Sequence, residues 1–164
     1  MTSFAIVDGR KLRRKVRAIV TDEAGSYLLV RPHGYDPDCW TLPGGGVEVG
    51  ETAAQAVSRE LQEELGLPAK LADRTKPLGL RSEFCYSPEY KAKRALDHDG
   101  QLAELFHCQL PYATSIHPQA EEIEAIGWFN REEAIAAFKV PAQRELFERC
   151  LDGLAHKGVK RSAA

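Results

Sequence analysis

Three glutamates lie close together in the stretch from Gly44 to Leu67, GGGVEVGETAAQAVSRELQEELGL. Glu60, Glu63 and Glu64 are three or four positions apart, so on a helix they share one face. Like charges at this spacing destabilise an isolated helix by about 0.2–0.5 kcal/mol per pair. A divalent cation among the three carboxylates would remove that repulsion, and carboxylate oxygens suit Mg²⁺ or Mn²⁺. The alternative is a solvated acidic helix face with no ligand.

The helical periodicity places one of these glutamates toward the core. At 100° per residue, the small and aliphatic positions form one continuous arc, made of Ala53, Ala54, Val57, Leu61 and Leu65. Glu64 falls inside this arc and Glu60 lies beside its edge. A desolvated carboxylate needs a cation nearby or takes up a proton, so burial of Glu64 also favours a metal site.

The same stretch resembles the signature of the Nudix hydrolase family. Written by spacing, it has Gly45, five residues, Glu51, seven residues, and then Arg59–Leu67, and every fixed position of the signature matches. Trp40–Gly44 resembles the segment that usually precedes this signature, and the acidic run at residues 120–129 resembles a later segment of the family. The resemblance implies an α/β fold, the Nudix-type α/β/α sandwich with a mixed β-sheet.

The resemblance also implies an activity and a set of roles. The enzyme would be a Nudix-type diphosphatase: attack of water on phosphorus would cleave the diphosphate linkage of a nucleoside diphosphate derivative. The implied ligands of a Mg²⁺ cofactor, or of Mn²⁺, are Glu60, Glu63, Glu64 and the backbone carbonyl of Gly44. Arg59 would orient the acidic cluster by ion pairing, because arginine stays charged in any setting. Glu51 would support the cluster from the preceding loop.

The carboxylate that removes the proton from the attacking water stays open. Within the signature we favour Glu63 or Glu64. The family sometimes uses a glutamate from a distant loop, and the candidates here are Glu121 and Glu122, ahead of Glu83 and Glu104. The acidic run at residues 120–124 is alternatively an exposed loop edge. Three clustered glutamates also supply more charge than one divalent ion neutralises, which is compatible with two or more metals.

Length and charge restrict the function classes. A chain of 164 residues is large enough for one domain with its own core, and we expect a single domain over residues 1–164. A formal net charge of −2 provides no overall attraction to nucleic acid or to an anionic membrane. The absence of a long apolar run and of a secretory signal, together with four cysteines in no metal-binding spacing, predicts a cytoplasmic protein with reduced thiols.

The remaining chain predicts strands and helices in alternation. The predicted strands are residues 14–21 and 27–30 (a hairpin), 40–42, a region within 70–84 interrupted at 76–77, 101–110, and one that ends at 129. The predicted helices run from about Thr52 to Leu65, from Asn130 onward, and from Ala142 to Leu154, before a frayed tail at residues 157–164.

Several polar residues outside the signature allow two interpretations. The loop at residues 87–100 is either a lid whose cations gather phosphates or a solvated loop. Arg31 and His33 either reach a substrate phosphate or ribose, or lie on the surface. His98 resembles a ligand, but a flexible loop tip explains it more simply. His107 is expected to be a hydrogen-bonded core histidine.

Two rival functions remain open at the level of sequence. The chain is alternatively a non-catalytic nucleotide-binding Nudix module or an RNA 5′-end or cap hydrolase, although the net charge disfavours nucleic acid. The expected partner is a small-molecule nucleotide: a nucleoside triphosphate, a dinucleoside polyphosphate or a nucleotide sugar. The sequence does not distinguish among these three, and a homodimer is possible because dimers are common in the family.

Overall fold

The computed structural model describes the backbone of residues 1–163 and the side chains of residues 1–155. Its strands are β1 (Phe4–Val7), β2 (Arg10–Thr21), β3 (Tyr27–Pro32), β4 (Gly44–Gly46), β5 (Lys76–Cys85), β6 (Gly100–Gln109) and β7 (Ile123–Phe129). Its helices are α1 (Ala53–Leu65), α2 (Ala69–Ala72), α3 (Pro88–Lys93), α4 (Arg131–Ala137) and α5 (Pro141–Ala163). Residues 157–163, which were predicted to form a frayed tail, instead continue helix α5, and residue 164 lies outside the described residues.

One mixed sheet contains all of these strands, and β2 lies at its centre. The main order is β5-β6-β2-β3-β7, and β1 and β4 also pair with β2. The β2–β6 pair is parallel over ten residue pairs, whereas the other pairs are antiparallel. This arrangement confirms the predicted α/β class with a mixed sheet.

Each face of the sheet carries a separate buried core, because side chains of a strand point alternately to opposite faces. On one face, Val16 and Ala18 of β2 share a core with Leu61 of α1. On the other face, Ile19 of β2 shares a core with Phe147 of α5. Helices therefore cover both faces, as the α/β/α sandwich requires.

The signature helix begins and ends where the sequence predicts. Thr52 is the N-cap, and its side chain accepts a hydrogen bond from the backbone N–H of Gln55. The Gln55 side chain accepts from the N–H of Thr52 in return, which completes a capping box. Gly66 ends α1 at φ 65°, the left-handed conformation that favours glycine.

Two of the predicted strands do not lie at the residues that the sequence indicated. Residues 40–42 form no strand; only Thr41 pairs, in an isolated bridge with Val30, and the strand lies instead at Gly44–Gly46. Three glycines have low strand propensity, so only their pairing with β2 makes them a strand. The region predicted from residue 70 begins with helix α2, which at four residues is too short to show a helical periodicity.

The segment at residues 87–100 is folded. Ser87 caps helix α3, and Lys91 Nζ lies 2.7 Å from Asp99 Oδ1 within the same segment. The Arg94 guanidinium stacks over the ring of Tyr90. Two of the cations that a lid would turn toward phosphates therefore have partners inside the segment itself.

The interpretation of His98 as a flexible loop tip is wrong. Its side chain is only 11% exposed, and its ring lies between the rings of Phe4 and Tyr86, at centroid distances of 5.4 and 5.5 Å. Asp97 accepts from Nδ1 at 3.1 Å. The sequence showed only polar neighbours, whereas the N-terminal strand β1 supplies the apolar contact.

Candidate active site

Glycines of β4 bring the backbone against the carboxylates of α1. A Cβ on Gly45 would lie 2.3 Å from an oxygen of the Glu60 carboxylate, and a Cβ on Gly44 would lie 2.1 Å from the carbonyl oxygen of Val16. Gly44 also has φ 149°, which disfavours any side chain. The approach of β4 to β2 therefore requires glycine at position 44, whereas a Cβ at position 45 would displace the Glu60 carboxylate.

Arg59 connects the acidic residues of the site to the loop. Its guanidinium donates two hydrogen bonds to Glu51, at 2.7 and 2.9 Å. The same group donates to Glu60 at 3.0 Å and to Glu63 at 3.3 Å, and to the carbonyl oxygen of Gly46 at 2.9 Å. These hydrogen bonds hold the pKa of Glu51 below its ordinary value and raise the pKa of Arg59. One arginine thus fixes three carboxylates and the end of β4.

Glu64 is the most deeply buried carboxylate among the described residues of the site. It is 7% exposed, as the helical wheel predicts, and its Oε2 accepts a hydrogen bond from the Gly44 N–H at 3.2 Å. Burial, with repulsion from Glu60 as a smaller contribution, raises the pKa of Glu64 to about 7 despite this hydrogen bond. Burial also raises the pKa of Glu60, and Arg59 opposes that rise.

Three cations of β2 lie beside these carboxylates. Arg13, Lys15 and Arg17 are two residues apart, so they share one face of the strand. Burial, followed by repulsion from Arg17 and Arg13, lowers the pKa of Lys15 to about 7, although Glu60 and Glu64 oppose the shift.

The chemistry of these residues fits a divalent metal. The donor set consists of carboxylate oxygens, which Mg²⁺ and Mn²⁺ prefer. The raised pKa values of Glu60 and Glu64 show two desolvated, mutually repelling acids that a cation would stabilise in their charged forms. Among the described residues, no three acidic, histidine or cysteine side chains converge in a ready-made metal site. Arg59, which bridges Glu60 and Glu63, supplies part of the positive charge instead.

A large open cavity adjoins the site. Its volume is about 800 Å³, which lies within the usual range for small-molecule sites. Lys15 and Arg17 line one part of it, and the aromatic residues Phe84, Tyr86 and Tyr90 line another. Phe84 and Tyr90 are exposed, so their rings are available to an apolar or aromatic group of a ligand.

The glutamates outside the signature that are candidates for the base lie in different parts of the structure. Glu122 is close enough to the site to raise the pKa values of both Glu60 and Glu64. Glu83, in contrast, pairs with Arg10 at 3.2 Å, and Glu104 lies 4.0 Å from Arg14. Glu121 is exposed in the same turn as Glu122.

Arg31 and His33 make contacts within the protein. Arg31 donates to Glu124 and to the carbonyl oxygen of Pro37, and it stacks over Trp40. One ring nitrogen of His33 lies 2.7 Å from the carbonyl oxygen of Ala120. These contacts favour the surface interpretation for both residues. His107, by comparison, hydrogen bonds to Thr21, as expected of a core histidine.

The cations of β2 and the aromatic residues of β5 and α3 are site residues that the sequence analysis missed. The alternation Arg13-Lys15-Arg17 is visible in the sequence, but residues 14–21 were predicted only as a strand, without a role in the site. Phe84, Tyr86 and Tyr90 have no local signal, because β5 reaches the site only through its pairing with β6.

Cys39, Cys85, Cys108 and Cys150 are all free thiols. Within the part of the chain that the structure describes, no helix is long and apolar enough to span a membrane.

Comparison with known proteins identifies the family. The model of the NUDIX domain matches residues 11–150. An RNA pyrophosphohydrolase of Acidiphilium cryptum is 31% identical over 148 residues, which cover 84% of this chain and 86% of that protein. A CTP pyrophosphohydrolase of Escherichia coli is 30% identical over 141 residues, which cover 84% of this chain and 90% of that protein.

A solved structure agrees in fold. The dihydroneopterin triphosphate pyrophosphohydrolase of E. coli superposes with a TM-score of 0.69 at 24% identity, over 83% of this chain and 92% of that chain. At this identity the likeness establishes the shared fold.

Proposed function

This chain belongs to the NUDIX family and is a hydrolase of pyrophosphate linkages, and we propose that its substrate is a nucleotide whose diphosphate linkage it cleaves with Mg²⁺. Dependence on a divalent metal is general in the family, and Mn²⁺ would substitute for Mg²⁺ because both ions prefer oxygen ligands. We also propose that residues 1–164 form one domain, and a homodimer is its candidate oligomeric state. The four free thiols support a reducing cytoplasm as its location.

The large cavity supports a nucleotide as the substrate. The exposed ring of Phe84 offers a nucleobase a surface on which to stack, and Lys15 and Arg17 line the same cavity. The two curated relatives compared above are named for CTP and for RNA. A nucleoside triphosphate is the first candidate, and the 5′ end of an RNA is the second, favoured by the name of the relative from A. cryptum.

Some residues of the acidic cluster would bind the metal, and others would hold these metal ligands in position. Glu60, Glu63, Glu64 and the carbonyl oxygen of Gly44 would hold the metal, which when bound neutralises negative charge that develops on the diphosphate. Arg59 would position these ligands through its contacts with Glu60 and Glu63, and Glu51 would hold Arg59 by a bidentate pair. Arginine suits this role because its planar guanidinium can donate two parallel hydrogen bonds to one carboxylate.

Proton removal from the attacking water would need a carboxylate that is free to accept it. Glu63 is 53% exposed and is held only at 3.3 Å by Arg59, whereas Glu64 accepts from the Gly44 N–H. Glu122 lies on a separate loop yet close to the same site. These three are the candidates for the base, and Glu122 is the candidate outside the signature.

The single observation that carries the proposal is the buried Glu64 beside the partly buried Glu60, against the glycine strand and next to the cavity that Lys15 and Arg17 line. The test measures phosphate or pyrophosphate release from a panel of nucleotides with Mg²⁺, with Mn²⁺ and with EDTA. We expect metal-dependent turnover by the wild type and a loss of at least about a hundredfold in kcat for Glu64→Gln.

Glu132→Gln is the matched control, because Glu132 is an exposed glutamate of α4 that is distant in sequence from the acidic cluster. Its kcat should equal that of the wild type. Tight metal-dependent nucleotide binding without turnover on any compound would contradict the proposal and favour a binding module. Turnover restricted to 5′-triphosphorylated RNA would instead favour the second candidate.

A further inference from the structure

The cations of strand β2 divide into two groups by their partners. The ion-paired residues are Arg10 with Glu83, Lys11 with Asp97 and Arg14 with Glu104. For Arg13, Lys15 and Arg17, no carboxylate oxygen within the described residues lies inside the 4.0 Å limit of an ion pair. Three neighbouring like charges without a direct ion-pair partner are unfavourable in a half-buried setting, although Glu60 and Glu64 act on Lys15 from a longer distance.

The unpaired group forms a track along one face of the strand. From Arg13 to Lys15 to Arg17 the strand rises by about 3.3 Å per residue, so the track is about 13 Å long. Lys15 and Arg17 line the large cavity. Arg13 lines a second, smaller cavity together with Glu60 and Arg59, so the track connects the large cavity with residues of the acidic cluster.

Arg13 is the residue of the track that most needs a ligand. Its Nε atom is buried and has no hydrogen-bond partner. A Cβ on Gly46 would lie 2.8 Å from Arg13 Nη2. The absence of a side chain at Gly46 therefore leaves room for the Arg13 guanidinium against β4. A buried N–H donor without an acceptor is destabilising, and a phosphate oxygen would satisfy it with a charge-assisted hydrogen bond.

The smaller cavity is large enough for a phosphate group. Its volume is about 180 Å³, below the range of about 300–1,000 Å³ for drug-sized ligands. Glu48 and Glu60 also line it, and an anion would enter only when cations balance these two acids. An unpaired guanidinium favours a charged phosphate over a neutral sugar.

We infer that Arg13 binds the terminal phosphate of a nucleotide with three or more phosphates in a chain, while Lys15 and Arg17 bind phosphates nearer the nucleoside. This inference rests on the proposed function and narrows it to nucleoside triphosphates or 5′-triphosphorylated ends. Nucleotide sugars, whose phosphate chain ends at the second phosphate, leave Arg13 without its ligand.

The test compares a nucleoside triphosphate with the corresponding nucleoside diphosphate in wild type and Arg13→Gln. Kinetics are measured with Mg²⁺, and binding of the methylene-bridged, non-hydrolysable analogues is measured by calorimetry. In the wild type we expect the triphosphate to bind at least tenfold more tightly. In Arg13→Gln we expect a loss of about tenfold to a hundredfold for the triphosphate and less than twofold for the diphosphate.

Arg14→Gln is the matched control, because Arg14 is the next residue of the same strand, points to the other face and is paired with Glu104 and Ser3. It should leave the preference for the triphosphate unchanged. Arg13→Lys should restore part of the preference, since it keeps the charge but not the planar fork.

An equal loss on both nucleotides, or no loss on either, would overturn the inference while leaving the hydrolase intact. Wild type that hydrolyses no nucleotide with either metal would contradict the proposed function. In that case the calorimetry still decides the role of Arg13, because it measures binding without turnover. Thermal unfolding of Arg13→Gln in parallel excludes a general loss of structure as the cause.

Discussion

Replacement of Glu64 by glutamine should stabilise the metal-free protein at alkaline pH even though it removes a proposed metal ligand. The Glu64 side chain is buried, and burial raises its pKa from 4.5 to about 7. Glutamine has the same shape, is neutral at every pH, and keeps an oxygen that accepts the Gly44 N–H. The variant therefore removes a desolvated charge and keeps the acceptor of the Gly44 N–H.

The magnitude follows from the pKa shift. One pKa unit corresponds to about 1.4 kcal/mol, so this shift destabilises the folded state by up to about 3 kcal/mol once Glu64 is ionised. Between pH 4.5 and 7 the folded state holds a proton that the unfolded state has released. The stability contributed by the protonated carboxyl is complete below pH 4.5 and is lost as the pH rises through 7.

The assay is urea unfolding of wild type and Glu64→Gln in EDTA at pH 5 and at pH 8. We expect the variant to be more stable by about 3 kcal/mol at pH 8, or about 6–12 °C in Tm for a chain of this size, with little difference at pH 5. Comparing the two proteins at each pH cancels the titration of the other groups. Mg²⁺ should then stabilise the wild type more than the variant, because the metal binds the folded state.

Glu63→Gln is the control, since Glu63 is 53% exposed and is solvated. Its stability should stay within about 0.5 kcal/mol of the wild type at both pH values. The reasoning is refuted if Glu64→Gln in EDTA at pH 8 is no more stable than the wild type, or if its advantage is the same at pH 5.

Three other substitutions test the supports of the site. Gly45→Ala should lower both stability and kcat, because its Cβ would lie 2.3 Å from the Glu60 carboxylate; this is measured by thermal unfolding and steady-state kinetics. Arg59→Lys should lower kcat/KM by about tenfold to a hundredfold while the fold is kept, because lysine cannot make the bidentate pair with Glu51; circular dichroism and kinetics check this. Thr52→Ala should reduce the free energy of unfolding by about 1 kcal/mol, through loss of the N-cap, with kcat unchanged.

Each of these substitutions has an outcome that would contradict its reasoning. Wild-type activity in Gly45→Ala would mean that Glu60 moves freely away from β4. Full activity in Arg59→Lys would show that a point charge is sufficient to hold the acidic cluster. A loss of kcat in Thr52→Ala that exceeds its loss of stability would place Thr52 closer to the chemistry than a cap.

The sequence alone determined the features that depend on residues close together in the chain. The signature spacing identified the family, the 3.6-residue period placed Glu64 in the buried face, and Thr52 and Gly66 marked the ends of α1. These features are local, because a helix forms its hydrogen bonds and caps within a few residues. The strand at Gly44–Gly46 was missed for the opposite reason, since glycine has little strand propensity of its own.

Only the tertiary structure decided which distant residues meet the signature. Parallel pairing of β6 with β2 and antiparallel pairing of β5 with β6 bring Phe84 and Tyr86 to the cavity that Lys15 lines, and neither pairing leaves a local pattern in the sequence. The proximity of Glu122 to Glu64 likewise depends on contacts between segments far apart in the chain. The local periodicity thus specified the acidic helix, whereas long-range strand pairing specified the cationic and aromatic surroundings in which that helix acts.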